Sequence, residues 1–288
     1  MQKGHCIGVM APSSYVERAD IQKSSDALHK LGYKIKVHPQ TYAQLNQSAG
    51  TTDQKCAALH DLYSDTDVDA IWAAGGGNRA LYMLDDLDYR LIAKNPKPLI
   101  GFSDVTPLLN AIYKHTGQET IHAQVFKNLH SFEQLSDTLD ILSGAHHDMD
   151  LNPTNILRPG SCEGVLVGGC LSLFQYLPGT NDCPNLQGAI LFLEDTGEEI
   201  SRLDRMFAHM SRMGVFEHIG GLVLGELHNI QDSTRPFGFS LHDIIADAVG
   251  EHDIPIVTNA PFGHGKNLKA LPIGRIAKLD THKKMLNF

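Results

Sequence analysis

Four short stretches of this chain hold groups that could do chemistry together. Gly101-Phe102-Ser103-Asp104 follows a buried run and precedes Pro107, a residue favoured in the first turn of a helix. A serine there stands at the carboxyl end of a strand, over helix N–H groups that favour negative charge. Only half of the hydrolase elbow G-x-S-x-G is present, since Val105 fills the second glycine place. Taken alone, the stretch reads better as a plain strand-to-helix turn. Gly75-Gly76-Gly77-Asn78-Arg79 is neither a dinucleotide fingerprint nor a Walker loop, yet its N–H groups could hold an oxyanion. A sharp turn would also account for it. Glu194-Asp195-Thr196-Gly197-Glu198-Glu199 supplies carboxylates after a strand, where they could equally be acids at a helix start. Ala260-Pro261-Phe262-Gly263-His264-Gly265 places one titratable imidazole between two glycines, a setting that suits a general base. Serine, glutamate and histidine in three such loops match the three roles of an acyl-transfer triad.

The elements that must position these loops are legible from periodicity. Buried runs at 5–11, 34–38, 70–74 and 98–102 read as strands. They alternate with helices expected at 18–31, 52–64, 80–94 and about 105–115. Ser13 or Ser14 is the expected cap of the first helix, and Thr106 of the fourth. Strands alternating with helices imply a parallel sheet covered on both faces, with ligands at the carboxyl edge. The fold class is therefore α/β, with a flavodoxin- or Rossmann-like N-terminal domain at 1–143. Residues 144–163 are polar, carry Pro153, Pro159 and Gly160, and read as a linker. Residues 164–288 read as a smaller C-terminal α/β domain. Its strands are expected at 164–168, 188–193, 221–226 and 254–258. Its helices are expected at 200–213, striped by Leu203, Met206, Phe207 and Met210, and at 240–250.

Composition narrows the classes of function. The 288 residues carry a formal net charge of −9, and no basic cluster offsets it, which argues against a nucleic-acid partner. No run approaches the length of a membrane helix, and the N-terminus lacks a secretory pattern, so a cytoplasmic protein without a membrane partner is expected. The five cysteines form no C-x-x-C pair and read as reduced thiols. His146-His147-Asp148 lies in a loop-like stretch without metal-ligand spacing, so neither a metal nor a cofactor is expected.

At these motifs the chain resembles the LD-carboxypeptidases, serine peptidases of the S66 type. The resemblance rests on Ala11-Pro12-Ser13-Ser14, the glycine loop followed by Leu84-Asp85-Asp86-Leu87-Asp88-Tyr89, and Gly101-Phe102-Ser103-Asp104. It continues through Gly168-Gly169, Leu193-Glu194-Asp195 with Glu198 and Arg205-Met206, and Gly263-His264-Gly265 with Leu271-Pro272-Ile273-Gly274. It implies a second domain of the swivelling type and a metal-independent triad. Ser103 would be the nucleophile, His264 the base and acid, and Glu194 the residue orienting His264, with Glu198 as second choice. It also implies oxyanion donors at Asp104 and at Gly76 or Gly77, and substrate contacts from Asn78, Arg79, Gly169 and Cys170. The implied activity is cleavage of the L,D-peptide bond before the terminal D-alanine of murein tetrapeptides, in cell-wall recycling by a homodimer. An immunity-type hydrolysis of a peptidyl or aminoacyl nucleotide, or a non-catalytic small-ligand module, are the alternatives. Two departures touch substrate choice. The family's common loop is Gly-Gly-Tyr-Gly with an arginine three residues on, whereas here it is Gly75-Gly76-Gly77-Asn78-Arg79 with Tyr82 near the arginine place, and Cys170 follows Gly168-Gly169 where an asparagine is usual.

Overall fold

The computed structural model describes residues 1–133, 135–265 and 268–288. They form two compact units, one of residues 1–145 with 270–274, the other of 146–269 with 275–288. In chain order the first strands are β1 (Cys6–Met10), β2 (Lys34–Val37), β3 (Ala70–Ala73), β4 (Leu99–Gly101) and β5 (Thr120–His122). Next come β6 (Asp148–Asp150), β7 (Ile156–Arg158), β8 (Ser161–Cys170), β9 (Ile190–Thr196) and β10 (Gly221–His228). The last are β11 (Ile256–Val257), β12 (Leu271–Ile273), β13 (Ile276–Asp280) and β14 (Met285–Asn287).

The first unit is built on a sheet of order β12-β5-β4-β3-β1-β2, parallel from β5 to β2, with β12 antiparallel on β5. The order β2-β1-β3-β4-β5 is that of flavodoxin-like sheets, whose ligands sit at the carboxyl edge near the β1/β3 switch point. β1, β3 and β4 are buried along their whole length, as parallel strands covered on both faces must be. Helices α1 (Arg18–Lys30), α2 (Thr52–Ser64), α3 (Tyr89–Lys94), α4 (Thr106–Thr116) and α5 (Leu135–Leu142) complete this unit. A capping box, Thr51 with Gln54, starts α2.

Several local expectations change. The helix expected over 80–94 is a 3₁₀ turn, Leu81–Asp86, followed by the separate α3. Asp88 breaks the run because its side chain accepts the Arg90 and Leu91 N–H groups as a cap. Glu17, not Ser13 or Ser14, precedes α1, and no side chain caps it. Thr106 does not cap α4 either, because a 3₁₀ turn, Ser103–Val105, already leads into that helix.

The second unit holds a sheet of order β6-β14-β13-β8-β9-β10-β11-β7, parallel across β8-β9-β10-β11 and antiparallel outside it. Its helices are α6 (Leu171–Phe174), α7 (Ile200–Arg212), α8 (Val215–His218) and α9 (Leu241–Val249). The expected stripe on α7 is buried, and Phe207 stacks on Phe216 with centroids 6.2 Å apart. The stretch 144–163, expected as a linker, instead supplies β6, β7 and the start of β8. Local polarity misleads there because β6 and β7 are three-residue edge strands, β6 with only Met149 buried between exposed Asp148 and Asp150 and β7 half-buried, fixed by partners distant in sequence. His147, in the same stretch, exchanges backbone hydrogen bonds with Phe288 and stacks on its ring. Among the described residues no helix is long and apolar enough to cross a membrane.

Candidate active site

In the first unit two loops at the carboxyl edge of the sheet meet. β4 ends at Gly101, and Ser103 follows with φ of 61°, a left-handed conformation that an L-serine adopts at a cost of about 1–3 kcal/mol. Strand, strained residue, then helix is the geometry that exposes a nucleophilic hydroxyl. The missing second glycine of the elbow is therefore no obstacle, since the left-handed position falls on Ser103 and Val105 stays in the helical region. The glycine loop leaves β3 directly alongside. A Cβ placed on Gly76 would lie 3.1 Å from Ser103 Cβ and 3.4 Å from its Oγ, so the bare Gly76 backbone rests against the serine side chain. Gly77 has φ of 120°, and a Cβ there would come within 2.1 Å of Ser14 Oγ. Only glycine fits that position.

The loop's hydrogen bonds explain its shape. Ser14 donates its N–H to the Gly76 carbonyl at 3.3 Å, and its Oγ accepts the Asn78 N–H at 3.2 Å. Asn78 Nδ2 donates to Gln47 Oε1 at 3.0 Å, and the Arg79 guanidinium stacks over Tyr82, 4.5 Å from the ring centroid. Arg79 also lines a cavity of about 460 Å³ with Gln47, Ser48, Thr51 and Thr52. Asn78 and Arg79 thus stand on the rim of this loop, exposed enough to meet a ligand. Asp104, offered by sequence only for its N–H, has a buried side chain whose Oδ2 accepts the Ala80 N–H at 2.9 Å. Burial pushes its carboxyl pKa up, against the Ser13 hydroxyl, the Ala80 N–H and the Lys55 charge.

The second unit brings Glu194 and His264 together. Glu194 does not sit in the loop beyond the strand, as its sequence context suggested, but inside β9, paired across to Cys170 on β8 and fully buried. The segment carrying His264 runs beside β10. Glu226 donates its N–H to the Phe262 carbonyl at 2.7 Å, and Phe192 meets Phe262 edge-on at 5.8 Å. Gly263, with φ of 133°, lets the chain turn close against Glu194 and Glu226, where a Cβ would lie 3.3 Å from Glu194 Cβ and 2.8 Å from the Glu226 carbonyl oxygen. His264 Nδ1 then stands 2.6 Å from Glu194 Oε2. A carboxylate acceptor fixes the proton on Nδ1 and leaves the lone pair of a neutral imidazole on Nε2. Burial raises the Glu194 pKa, and His264, through its ring and its backbone, opposes that rise.

Glu198 takes no part in this pair; its carboxylate lies 3.2 Å from Arg202, one turn along. Gly168 and Gly169, with φ of 139° and 135°, precede Cys170, the last residue of β8, which is 3% exposed. The thiol faces Ser172 Oγ at 3.3 Å and Asp195 Oδ1 at 3.7 Å. Burial, then Glu194 and Asp195, push its pKa well up, so it stays protonated and unreactive. A substrate contact from the Cys170 side chain is not what this burial favours. Its chemistry there is support for Asp195, which also accepts the Ser172 N–H at 2.7 Å.

Sequence reading passed over Ser14 as a loop tie, Asp195 as a buried acceptor, and Lys55. The last had a signal: Lys55 shares the face of Leu59 and Leu62, at helical spacing, and is wholly buried.

The family model of the LD-carboxypeptidase N-terminal domain matches residues 7–123, and that of the LD-carboxypeptidase C-terminal domain matches residues 163–279. A probable murein peptide carboxypeptidase of Bacillus subtilis is 30% identical over 295 residues, covering 99% of this chain and 91% of the relative. The microcin C7 self-immunity protein MccF of Escherichia coli is 25% identical over 317 residues, covering 96% of this chain and 90% of the relative. The crystal structure of a muramoyltetrapeptide carboxypeptidase from Oxalobacter formigenes superposes with a TM-score of 0.87 at 26% identity, over 98% of this chain and 97% of that one.

Proposed function

The chain belongs to the LD-carboxypeptidase family, and from that premise we propose that it is a serine carboxypeptidase releasing the terminal D-alanine of murein tetrapeptides. The observation that carries this reading is the 2.6 Å contact of His264 Nδ1 with the buried Glu194 carboxylate. In a cytoplasmic muropeptide-recycling enzyme of this kind, Ser103 Oγ attacks the carbonyl of the L,D bond while His264 Nε2 takes its proton. The N–H groups of Asp104 and of Gly76 or Gly77 receive the oxyanion, a contribution of roughly a hundredfold or more in rate. His264 then protonates the leaving D-alanine amine, and water, deprotonated by the same imidazole, clears the acyl-enzyme. Glu194 holds the imidazole in the needed tautomer and supports the imidazolium. Asn78, Arg79 and Gly169 are assigned to the substrate, which is a small peptide acted on by a homodimer.

The test uses purified protein and a synthetic L,D-tetrapeptide. D-alanine release by the wild type, lost in Ser103→Ala and in His264→Ala while both stay folded, supports the reading; unchanged turnover in either variant sinks the mechanism. A second reading, hydrolysis of an aminoacyl nucleotide, is favoured by Arg79, which lines the cavity beside the glycine loop and whose guanidinium could meet a phosphate. Competing the two substrates on one preparation separates the readings. A non-catalytic ligand module predicts that a serine-directed phosphonylating probe leaves Ser103 unmodified.

A further inference from the structure

Lys55 is a cation with no exposed surface, inside a unit whose other lysines reach solvent or its margin. Burying an ammonium is costly unless acceptors and an opposite charge surround it. Its Nζ donates to the Arg79 carbonyl at 3.0 Å, at the residue where the glycine loop turns through a φ of 81°. One residue on, the Ala80 N–H is taken by Asp104 Oδ2 at 2.9 Å. Asp104 directly follows Ser103, and its charge and that of Lys55 act on one another. The single peptide group joining Arg79 to Ala80, at the exit of the glycine loop, is thus gripped from two sides. One grip comes from α2, the other from the residue after the serine. The entrance of the same loop is tied separately, through Ser14 to Gly76 and Asn78.

We propose that Lys55 and the Asp104 carboxylate act as a positioning pair, fixing residues 79–80 against the Ser103 turn and thereby setting the oxyanion donors of both loops. The inference rests on the reading of Ser103 as nucleophile. The charges touch no substrate. They act through the backbone, holding Gly76 where its bare peptide meets Ser103. Oxyanion donors help only within a few tenths of an ångström of the developing charge, so loosening the exit of the loop lowers turnover more than binding. The pairing also explains why the residue after the serine is an aspartate. An alanine would supply the same N–H to the oxyanion but would leave Lys55 and the Ala80 N–H buried without an anion.

The test compares full-length wild type with Lys55→Met, Asp104→Asn and the double variant. Each is assayed for kcat and KM on the L,D-tetrapeptide, and for the rate at which a fluorophosphonate labels Ser103, read by mass spectrometry. Each single variant is expected to lose about ten- to a hundredfold in kcat and in labelling rate, part of what a lost oxyanion donor costs, with KM little changed. The double variant is expected to lose no more than Lys55→Met alone, because no unpaired charge remains and the amide still accepts from Ala80, while the Arg79 carbonyl has already lost its donor. Losses in kcat and labelling rate that fail to multiply, at constant KM, are a readout that two independent structural roles would not produce. Should Lys55→Met fail to fold, the nearly isosteric Asp104→Asn carries the same comparison with the double variant. Wild-type rates in a single variant, a rise in KM at constant kcat, or losses that multiply in the double variant overturn the pair. A wild type that labels at Ser103 but releases no D-alanine refutes the substrate reading alone, and the labelling rates still decide the pair. A wild type that does not label overturns both.

Discussion

Replacing Glu194 by glutamine tests the centre of the proposed chemistry with a change of one atom. The side chain is fully buried, so glutamine keeps its volume and loses only charge and acceptor symmetry. Two effects add. A hydrogen bond to a charged group contributes about 1.5–3 kcal/mol, and support of the imidazolium in the transition state falls by that amount. At about 1.36 kcal/mol per factor of ten, this is roughly a ten- to hundredfold loss. The glutamine can also turn its amide N–H toward His264 Nδ1, which moves the ring proton to Nε2 and leaves no base for the serine. The corresponding change in a Ser-His-Asp enzyme costs about 10⁴ in turnover. The expected loss in kcat/KM therefore lies between about tenfold, if only charge support is lost, and about 10⁴-fold, if the ring proton also moves, measured as D-alanine release. Folding should respond in the opposite direction. Burial raises the Glu194 pKa, so between the usual carboxyl value near 4.3 and the raised one the folded state binds more protons than the unfolded state. Wild-type stability falls as pH rises through that interval, and the deficit persists above it. The variant lacks this titration, so its melting temperature should gain on the wild type as pH rises above about 4.3, the ordinary carboxyl value, until the buried carboxyl is fully ionised. Turnover within threefold of wild type, or a variant that loses stability relative to wild type as pH rises, refutes the reasoning.

Gly77→Ala should slow both turnover and phosphonylation at least tenfold, since the new Cβ meets Ser14 Oγ at 2.1 Å at a φ of 120° and the loop must move; labelling at the wild-type rate would show the loop tolerates it. Phe207→Ala removes a fully buried ring stacked on Phe216 and should cost about 3–5 kcal/mol in urea unfolding, and a loss under 1 kcal/mol would mean the α7 stripe packs loosely. Thr51→Ala breaks the capping box of α2 and should cost about 0.5–2 kcal/mol by the same measurement, with no change in KM.

Amino-acid order alone determined which residues could react and the parallel sheet that carries the serine. Buried β-branched runs alternating with helical faces leave few topologies, and Ser103, the glycine loop and Pro12-Ser13-Ser14 all follow strand ends. The α7 stripe was equally plain, because the apolar face of an isolated helix is written at fixed spacing. The fate of 144–163 was not legible: Asp148–Asp150 and Ile156–Arg158 become strands only because β14 and β11 lie beside them. The choice of Glu194 over Glu198 is of the same kind. Both are carboxylates four residues apart in one cluster, and local sequence cannot rank them. Tertiary structure decides, because Gly263 passes close enough to β9 for the His264 ring to reach Glu194, while Glu198 falls beside Arg202. Lys55 and Asp104 make the same point within the first unit. Sequence reading passed over the first and offered the second only for its N–H. Only the folded chain sets them on the carbonyl and the N–H of one peptide group in a third segment, since a hydrogen bond depends on tenths of an ångström that no spacing rule encodes.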